Sequence, residues 1–451
     1  MAAWVLERMR DFAERNAIVW NGATVTYGEL SALCDGWEAR LDDAGVESGR
    51  VVAVVGDFSP DSCAAFLALT RRGGIIVPLM PGTYAKNPEF LEIAEVEFIV
   101  DCSDEPSITR RDCTVENELI RSLVKAGAPG LVLFSSGSTG VSKAALHALE
   151  PLLEKFRTPR PALRTLTFLL LDHIGGINTF FHVISNGGLV VATSDRTPRG
   201  VCQAIQNMRV ELLPVSPTFL NLCLLSGEFR RFDLSSLKKI TYGTEPMPQS
   251  TLDRLHEEFP EVTLQQTYGL SELGIMRTKS RDDGSLWLRV GGEGYETQIR
   301  DDMLWIRAKS AMLGYLNAPS PFDEDGWFNT HDLVEQDGEY IHILGRDTEI
   351  INVGGEKVYP VEVESRLLKL DNISDAIVYA EHNALSGNMV VACVNLSEPE
   401  GVQQLKKRIR LSLKGELEPY KIPQKVVIAE DEQFNERFKR IRLDHGAEGR
   451  G

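Results

Sequence analysis

Phe134-Ser-Ser-Gly-Ser-Thr-Gly-Val-Ser-Lys143 is the stretch on which the reading of this chain turns. It follows an apolar run, Leu131 to Phe134, that reads as a buried strand. Gly137 and Gly140 let the backbone turn so that its N–H groups converge on one point. The hydroxyls of Ser135, Ser136, Ser138 and Thr139 add donors, and Lys143 adds a positive charge. Such a loop is built to hold phosphate oxygens, although the residues alone also fit a solvated Ser/Gly turn. It is not a Walker A loop: Lys143 follows Ser142, and the chain has no Gly-Lys-Ser/Thr triplet.

On both sides of this loop, strand and helix patterns alternate. Val51 to Val55 reads as a strand, Pro60 to Arg71 as an apolar-periodic helix and Gly74 to Leu79 as another strand. The rhythm returns in Thr165 to Leu171, a helix from Gly176, and Gly188 to Ala192. It predicts an α/β fold with helix-covered, mostly parallel sheets. From Glu293 the character changes. Tyr295 to Ile299, Met303 to Ala308 and Tyr340 to Leu344 are short strands split by Asp/Gly turns, the pattern of a small β subdomain. Beyond Gly345-Arg346-Asp347 comes an α+β tail, with Pro360 to Leu370, Ile373 to Ala380, Met389 to Val394 and a basic helix from Val402. The division drawn is 1–346 for a large N-terminal domain and 347–451 for a small C-terminal one.

Composition narrows the function classes. At 451 residues the chain exceeds one ordinary domain. A net charge of −17 argues against a nucleic-acid surface, which needs clustered Lys and Arg. The seven cysteines are scattered and form no C-x-x-C pair, so neither a disulfide framework nor a zinc site is expected. Glu7, Arg8, Arg10 and Asp11 interrupt the N-terminal apolar residues, which is unlike a signal peptide. No apolar run approaches 18 residues, so no membrane span is expected and the cytoplasm is the default location.

Three further segments carry chemistry. In Gln265-Gln-Thr-Tyr-Gly-Leu-Ser-Glu272, an aromatic face can stack on a purine and a carboxylate can hold Mg²⁺ beside phosphates; a β-turn with a solvated Glu is the plainer reading. In Gly326-Trp-Phe-Asn-Thr-His-Asp332, an Asp in a turn between strands can accept both hydroxyls of a ribose, or serve the turn alone. In Ile351-Asn-Val-Gly-Gly-Glu-Lys-Val-Tyr-Pro360, a Gly-Gly turn before a helix can approach a ligand closely.

In this order and spacing the segments resemble the adenylate-forming superfamily of acyl- and aryl-CoA synthetases, firefly-type luciferases and peptide-synthetase adenylation domains. The resemblance covers nearly the whole chain. Thr26-Tyr-Gly-Glu-Leu30 is similar to the family's Thr-Tyr-x-Glu-Leu element, Ser135 to Lys143 to its phosphate loop, and Tyr268-Gly-x-x-Glu272 to its Tyr-Gly-x-Thr-Glu motif, with Ser271 in place of Thr.

The resemblance implies ATP-dependent activation of a carboxylic acid to an acyl-adenylate, then transfer to a thiol. Ser135, Ser136, Gly137, Ser138, Thr139, Gly140 and Lys143 would hold the departing phosphates, with Thr139 counted among the catalytic groups. Glu272 would bind Mg²⁺ and act in catalysis. Tyr268 would stack on the adenine, with Gly269 and Ser271 counted among the nucleotide-binding residues, and Asp332 would hold the ribose hydroxyls with Arg346 nearby. Asp347 would be the hinge of a mobile C-terminal lid. The lid would bring a catalytic lysine, Lys439, although Phe438 stands where the family has Gly, and a solvated charge run is the other reading. Leu171-Asp-His-Ile-Gly-Gly176 resembles the His-x-x-Gly element of CoA ligases. His173, Tyr242, Gly243, Thr244 and Thr267 would then line an acid pocket suited to an aryl or modest acyl group, unless His173 is a satisfied core histidine. Gly354 and Gly355 would border the thiol tunnel. The acceptor expected is CoA, with the phosphopantetheine arm of a carrier protein as the alternative. A nucleotide-binding homologue with weakened catalysis is the reading that Phe438 keeps open. Neither the acid nor the oligomeric state is given by the sequence.

Overall fold

A computed structural model describes residues 4–135, 142–282, 284–383 and 386–429. Two seven-stranded sheets dominate the N-terminal part. In one, Asn16–Trp20, Leu189–Val191, Arg164–Leu166, Leu212–Val215, Lys239–Tyr242 and Thr263–Gln266 run parallel, and Ala23–Thr26 closes one edge antiparallel. In the other, Gly130–Ser135, Ile75–Leu79, Val51–Val55 and Phe98–Asp101 run parallel, with antiparallel strands at both edges.

The apolar runs explain this layering. In Val51–Val55 all five residues are buried, because both faces of the strand are covered. Val52 and Val54 face a core shared with Ile18 and Val190 of the other sheet. That core is filled by the helices Tyr27–Asp43, Pro60–Arg72 and Ile174–Ser185. Val51, Ala53 and Val55 face a second core with Ile120 and Leu123. The helix Pro60–Arg72 has clean boundaries. Ser59 caps its first turn by accepting from the Ser62 N–H, Pro60 opens it, and Gly73 ends it at φ +78°.

Two boundaries differ from the sequence reading. The predicted strand Thr165 to Leu171 is a strand only over Arg164–Leu166; the rest of the apolar run is irregular, with Leu169 and Leu170 half-buried. The predicted helix from Gly176 begins at Ile174, because His173 supplies the cap: its Nδ1 accepts the Gly175 N–H at 3.0 Å. Gly176 lies inside the first turn, where any Cβ would collide with the Leu170 carbonyl oxygen.

The β-rich region is a six-stranded antiparallel sheet containing Tyr295–Arg300, Met303–Ala308, Phe328–Asp337 and Tyr340–Arg346. The C-terminal region has its own sheet and its own core. Val363 and Leu367 of the helix Pro360–Leu367 and Leu405 and Ile409 of the helix Val402–Leu413 pack on Val378, Val390 and Ala392. Asn221 ties this unit to the N-terminal part by donating from Nδ2 to the Ser374 carbonyl at 3.1 Å. Among the described residues, no helix is long and apolar enough to cross a membrane. None of the seven cysteines is in a disulfide.

Candidate active site

The strands Gly130–Ser135 and Lys143–Ala148 form a hairpin with Ser135 opposite Lys143. The two rims of the Ser/Gly loop therefore sit side by side. Ser136, Gly137, Ser138, Thr139 and Gly140 lie outside the described residues. Asn317 fixes the exit of the loop: its Oδ1 accepts the Ala144 N–H at 3.0 Å and its Nδ2 donates to the Ser142 carbonyl at 2.9 Å.

Tyr315 stands beside this exit, on the two-residue strand Gly314–Tyr315 that pairs with Lys143–Ala148. The Lys143 ammonium lies 5.2 Å from the centre of its ring. Its hydroxyl donates to Glu272 Oε1 at 2.6 Å. Burial, and then the Glu272 carboxylate, push this phenol far above its ordinary range, so it stays a donor. Behind the same loop, fully buried His147 places Nε2 2.6 Å from the Ser271 carbonyl oxygen. Burial lowers its pKa to about 4, so the ring is neutral at pH 7 and donates from Nε2.

A second group is built on the β-rich sheet. Asp332 and Arg346 are register partners on neighbouring strands, with Arg346 Nε 3.5 Å from Asp332 Oδ1. The Tyr268 hydroxyl donates to Asp332 Oδ2. The Tyr268 ring is buried with Leu273, Met276 and Val290. Asp332 lies within the strand Phe328–Asp337 rather than in a turn, as the sequence reading had it. The irregular residue is its neighbour His331, at φ +60°, whose Nδ1 lies 3.0 Å from Asp347 Oδ2. Burial raises the pKa of Asp332 against the pull of Arg346. Burial alone would lower Arg346, but Asp332, Tyr268, Glu349 and Glu272 outweigh it and its pKa is raised. Arg346 therefore links the Asp332 group to the Glu272 group electrostatically.

The third group continues from Thr267, one residue before Tyr268. Thr267 donates to the Tyr242 carbonyl from both N (2.7 Å) and Oγ1 (3.1 Å). Gly243 is demanded here, since a Cβ would come within 2.5 Å of Thr267 Oγ1 and 2.8 Å of its carbonyl oxygen. Next to it Thr244 holds φ +74°, a region that β-branched residues rarely enter. Tyr242 itself is buried in the core beneath. Gly269 and Ile275 pair on a short hairpin that packs on the helix Ile174–Ser185, capped by His173. Gly354 and Gly355 form a tight turn at φ +60° and +96° within the C-terminal sheet. No described hydrogen bond or ion pair joins that turn to the groups above. Lys439 and Phe438 lie outside the described residues.

Tyr315, Asn317 and His147 were not singled out by the sequence reading. Their partners lie 43, 175 and 124 residues away in the chain, so no local pattern marks them.

Residues 5–316 match the family model described as AMP-binding enzyme, and residues 362–439 that of the AMP-binding enzyme C-terminal domain. The chain is similar to an indoleacetate–CoA ligase of Aromatoleum aromaticum, 27% identical over 92% of both chains. It is similar to 4-coumarate–CoA ligase 4 of Arabidopsis thaliana, 24% identical over 84% of this chain and 78% of that protein. Its fold matches a crystal structure of the anthranilate CoA ligase AuaEII with anthranoyl-AMP, with a TM-score of 0.80 and 19% identity over 95% of this chain and 93% of the other.

Proposed function

The chain belongs to the AMP-binding enzyme family, and from that premise we propose that it is an AMP-forming acid–thiol ligase acting on an aryl or modest acyl carboxylic acid, with CoA as acceptor. The acid's carboxylate attacks the α-phosphorus of ATP, a P–O bond breaks and pyrophosphate leaves. The thiol then attacks the acyl carbon, loses its proton, and AMP leaves with the C–O bond electrons. Negative charge moves in both steps, so fixed donors and cations carry the catalysis. The observation that carries this reading is the convergence of Lys143, Tyr315 and Glu272 with Arg346, Asp332 and Tyr268 at the base of the Ser/Gly hairpin.

In this reading the Ser135–Lys143 loop, with Thr139, receives the departing pyrophosphate, and Asn317 holds the loop's exit in register. Tyr268, with Gly269 and Ser271, borders the base, while Asp332 and Arg346 receive the ribose. Mg²⁺ needs few protein ligands when phosphates and water supply the rest. Glu272, with Oε1 already oriented by Tyr315, fits that requirement as its one carboxylate. The ion would neutralise phosphate charge. His173, Gly243, Thr244 and Thr267 border the acid, with Tyr242 behind them. Residues 347–451 form the lid: it turns at Asp347, brings Lys439 for the first step and the Gly354–Gly355 turn for the second. The cytoplasm, where ATP and CoA are abundant, is the compartment assigned, and seven cysteines outside any disulfide accord with it.

Pyrophosphate release across a panel of aryl and acyl acids tests the reading. Glu272→Ala should lose Mg²⁺-dependent release while keeping the fold, since a site carboxylate contributes little packing. Undiminished release by that variant removes Glu272 from the role, and release with no acid at all rejects the ligase. Thioester formation with free CoA rather than with a holo carrier protein decides the acceptor.

A further inference from the structure

Lys143 and Glu272 carry opposite charges and meet the same side chain, yet among the described residues neither forms an ion pair. The side chain they share is Tyr315. The Lys143 ammonium lies over its ring, 5.2 Å from the centre. The Glu272 carboxylate sits at the ring's edge, where Oε1 accepts from the hydroxyl at 2.6 Å. One phenol thus meets both charges, each with the part of the ring that suits it: the electron-rich face attracts the cation and the O–H attracts the anion.

The backbone holds this ring in place from both sides. Tyr315 pairs with Ala145 and Gly314 with Leu146, on the strand that begins at Lys143. The Leu316 N–H donates to the Ala144 carbonyl at 2.8 Å and the Leu313 N–H to the Leu146 carbonyl at 2.7 Å. On the other side the Met312 N–H donates to the Glu272 carbonyl at 2.7 Å. The ring is buried with Ala145 and Met312, so it cannot swing aside. A second cation, Arg346, acts on Glu272 but has Asp332 as its partner across the sheet.

Opposite charges this close to one another attract strongly once water is partly excluded. A direct pair between Lys143 and Glu272 would have to break before either could meet a ligand. We propose that Tyr315 is a positioning residue that keeps Lys143 and Glu272 apart before ATP binds, so that each is free for the triphosphate and its metal. The inference rests on the ligase reading above, which gives Lys143 to phosphate and Glu272 to Mg²⁺.

The test is a double-mutant cycle on the affinity of the whole protein for ATP in EDTA, measured by calorimetry. Tyr315→Leu removes both the aromatic face and the hydroxyl, so Lys143 and Glu272 should close on each other. The affinity should fall about tenfold, the weight of one charge-assisted hydrogen bond that the nucleotide must first break. Glu272→Gln removes the competing charge, and should raise the affinity about tenfold more in the Tyr315→Leu background than in the wild type. Equal gains in the two backgrounds would show that Tyr315 only packs, and overturn the proposal. Tyr315→Phe keeps the aromatic face and should stay within about threefold of the wild-type affinity. A loss of about tenfold in this variant overturns the proposal as well, and decides it alone if Tyr315→Leu does not fold. So does a wild type that binds ATP only with Mg²⁺, since Lys143 is then not free for the triphosphate. The ligase reading fails separately: a wild type that binds ATP but releases pyrophosphate with no acid rejects the ligase, while the cycle still decides the role of Tyr315. A wild type that binds no ATP under either condition rejects both.

Discussion

The nucleotide end of the molecule and the region around His182 differ in how charge is met. At the nucleotide end Arg346 has Asp332 across the sheet and Glu349 and Glu272 nearby, while Glu272 takes a hydrogen bond from Tyr315. At the far end, around His182, the Lys155 ammonium lies 5.1 Å from the centre of the Phe156 ring and donates to the Ile275 carbonyl, and Lys239 donates to Gln265 Oε1. Burial keeps His182 neutral and lowers the pKa of Lys155 to about 7. The difference teaches that charge is held by counter-charge at one end and suppressed by burial at the other. A group already held by its neighbours is pre-positioned and loses little freedom when the nucleotide arrives. A group whose charge burial suppresses needs no counter-ion to remain where it is. Each prediction below breaks or sharpens this contrast.

The largest effect belongs to Lys439. The described nucleotide end offers Lys143 and Arg346 as its cations, and the lid would add a third only during the first step. Lys439→Ala should slow adenylate formation by about 10²–10³, the usual loss for one electrostatic stabiliser. Conversion of a supplied acyl-adenylate to thioester should be much less affected if, as proposed, rotation at Asp347 withdraws the lysine between the steps. Lys357, beside the Gly354–Gly355 turn, should not reproduce this split when replaced by Ala. An undamaged first half-reaction, read by pyrophosphate release, would mean that the nucleotide end is complete without this lysine; equal damage to both half-reactions would mean that it is not withdrawn between them.

How much of this was legible in the sequence follows from how local each signal is. Val51–Val55 and Met303–Ala308 stand where their apolar patterns put them, because a strand's burial is written in its own side chains. The helix at Ile174 was placed two residues late, since Gly-Gly reads as a breaker. Here the pair exists because Leu169 and Leu170 pass against the first turn, which only the folded chain reveals. Glu272, Asp332 and Arg346 could be named from motifs. Their supports could not: Tyr315, Asn317 and His147 act across 43, 175 and 124 residues. The basic far end escaped for the same reason. Lys155, His182, Lys239 and Arg277 come from four separate elements, and none stands in a charge run long enough to notice.

A smaller effect appears in acid. His147 is neutral and buried, with a folded pKa of about 4 against an ordinary 6.5. The unfolded chain therefore binds the extra proton first as pH falls. Above about pH 6.5 this histidine imposes no penalty. Between 6.5 and 4 stability declines, and below 4 the loss levels off at an upper bound of roughly 3 kcal/mol. His147→Gln should flatten that part of the curve of urea-unfolding free energy against pH, at some loss of stability at pH 7. His182, also lowered to about 4, owes the shift to burial first and then to Lys155, Arg160 and Lys239. An unchanged slope between pH 6.5 and about 4 in His147→Gln would show that this histidine does not titrate in that window.

The smallest effect concerns Thr244. It sits at φ +74° beside Gly243, which is pressed against Thr267. A left-handed conformation costs a residue with a Cβ about 1–2 kcal/mol, and more for a β-branched one; glycine adopts it freely. Glycine also has the more flexible unfolded chain, which returns roughly 0.5–1 kcal/mol of that difference. Thr244→Gly should therefore stabilise the protein by no more than about 1 kcal/mol, read as a small rise in the urea midpoint at unchanged slope. If the strain serves the acid pocket, the same variant should lose kcat/KM for its preferred acid while its apparent affinity for ATP holds. A variant that gains stability and keeps its acid ranking would show that the strained threonine only turns the chain and takes no part in positioning the acid.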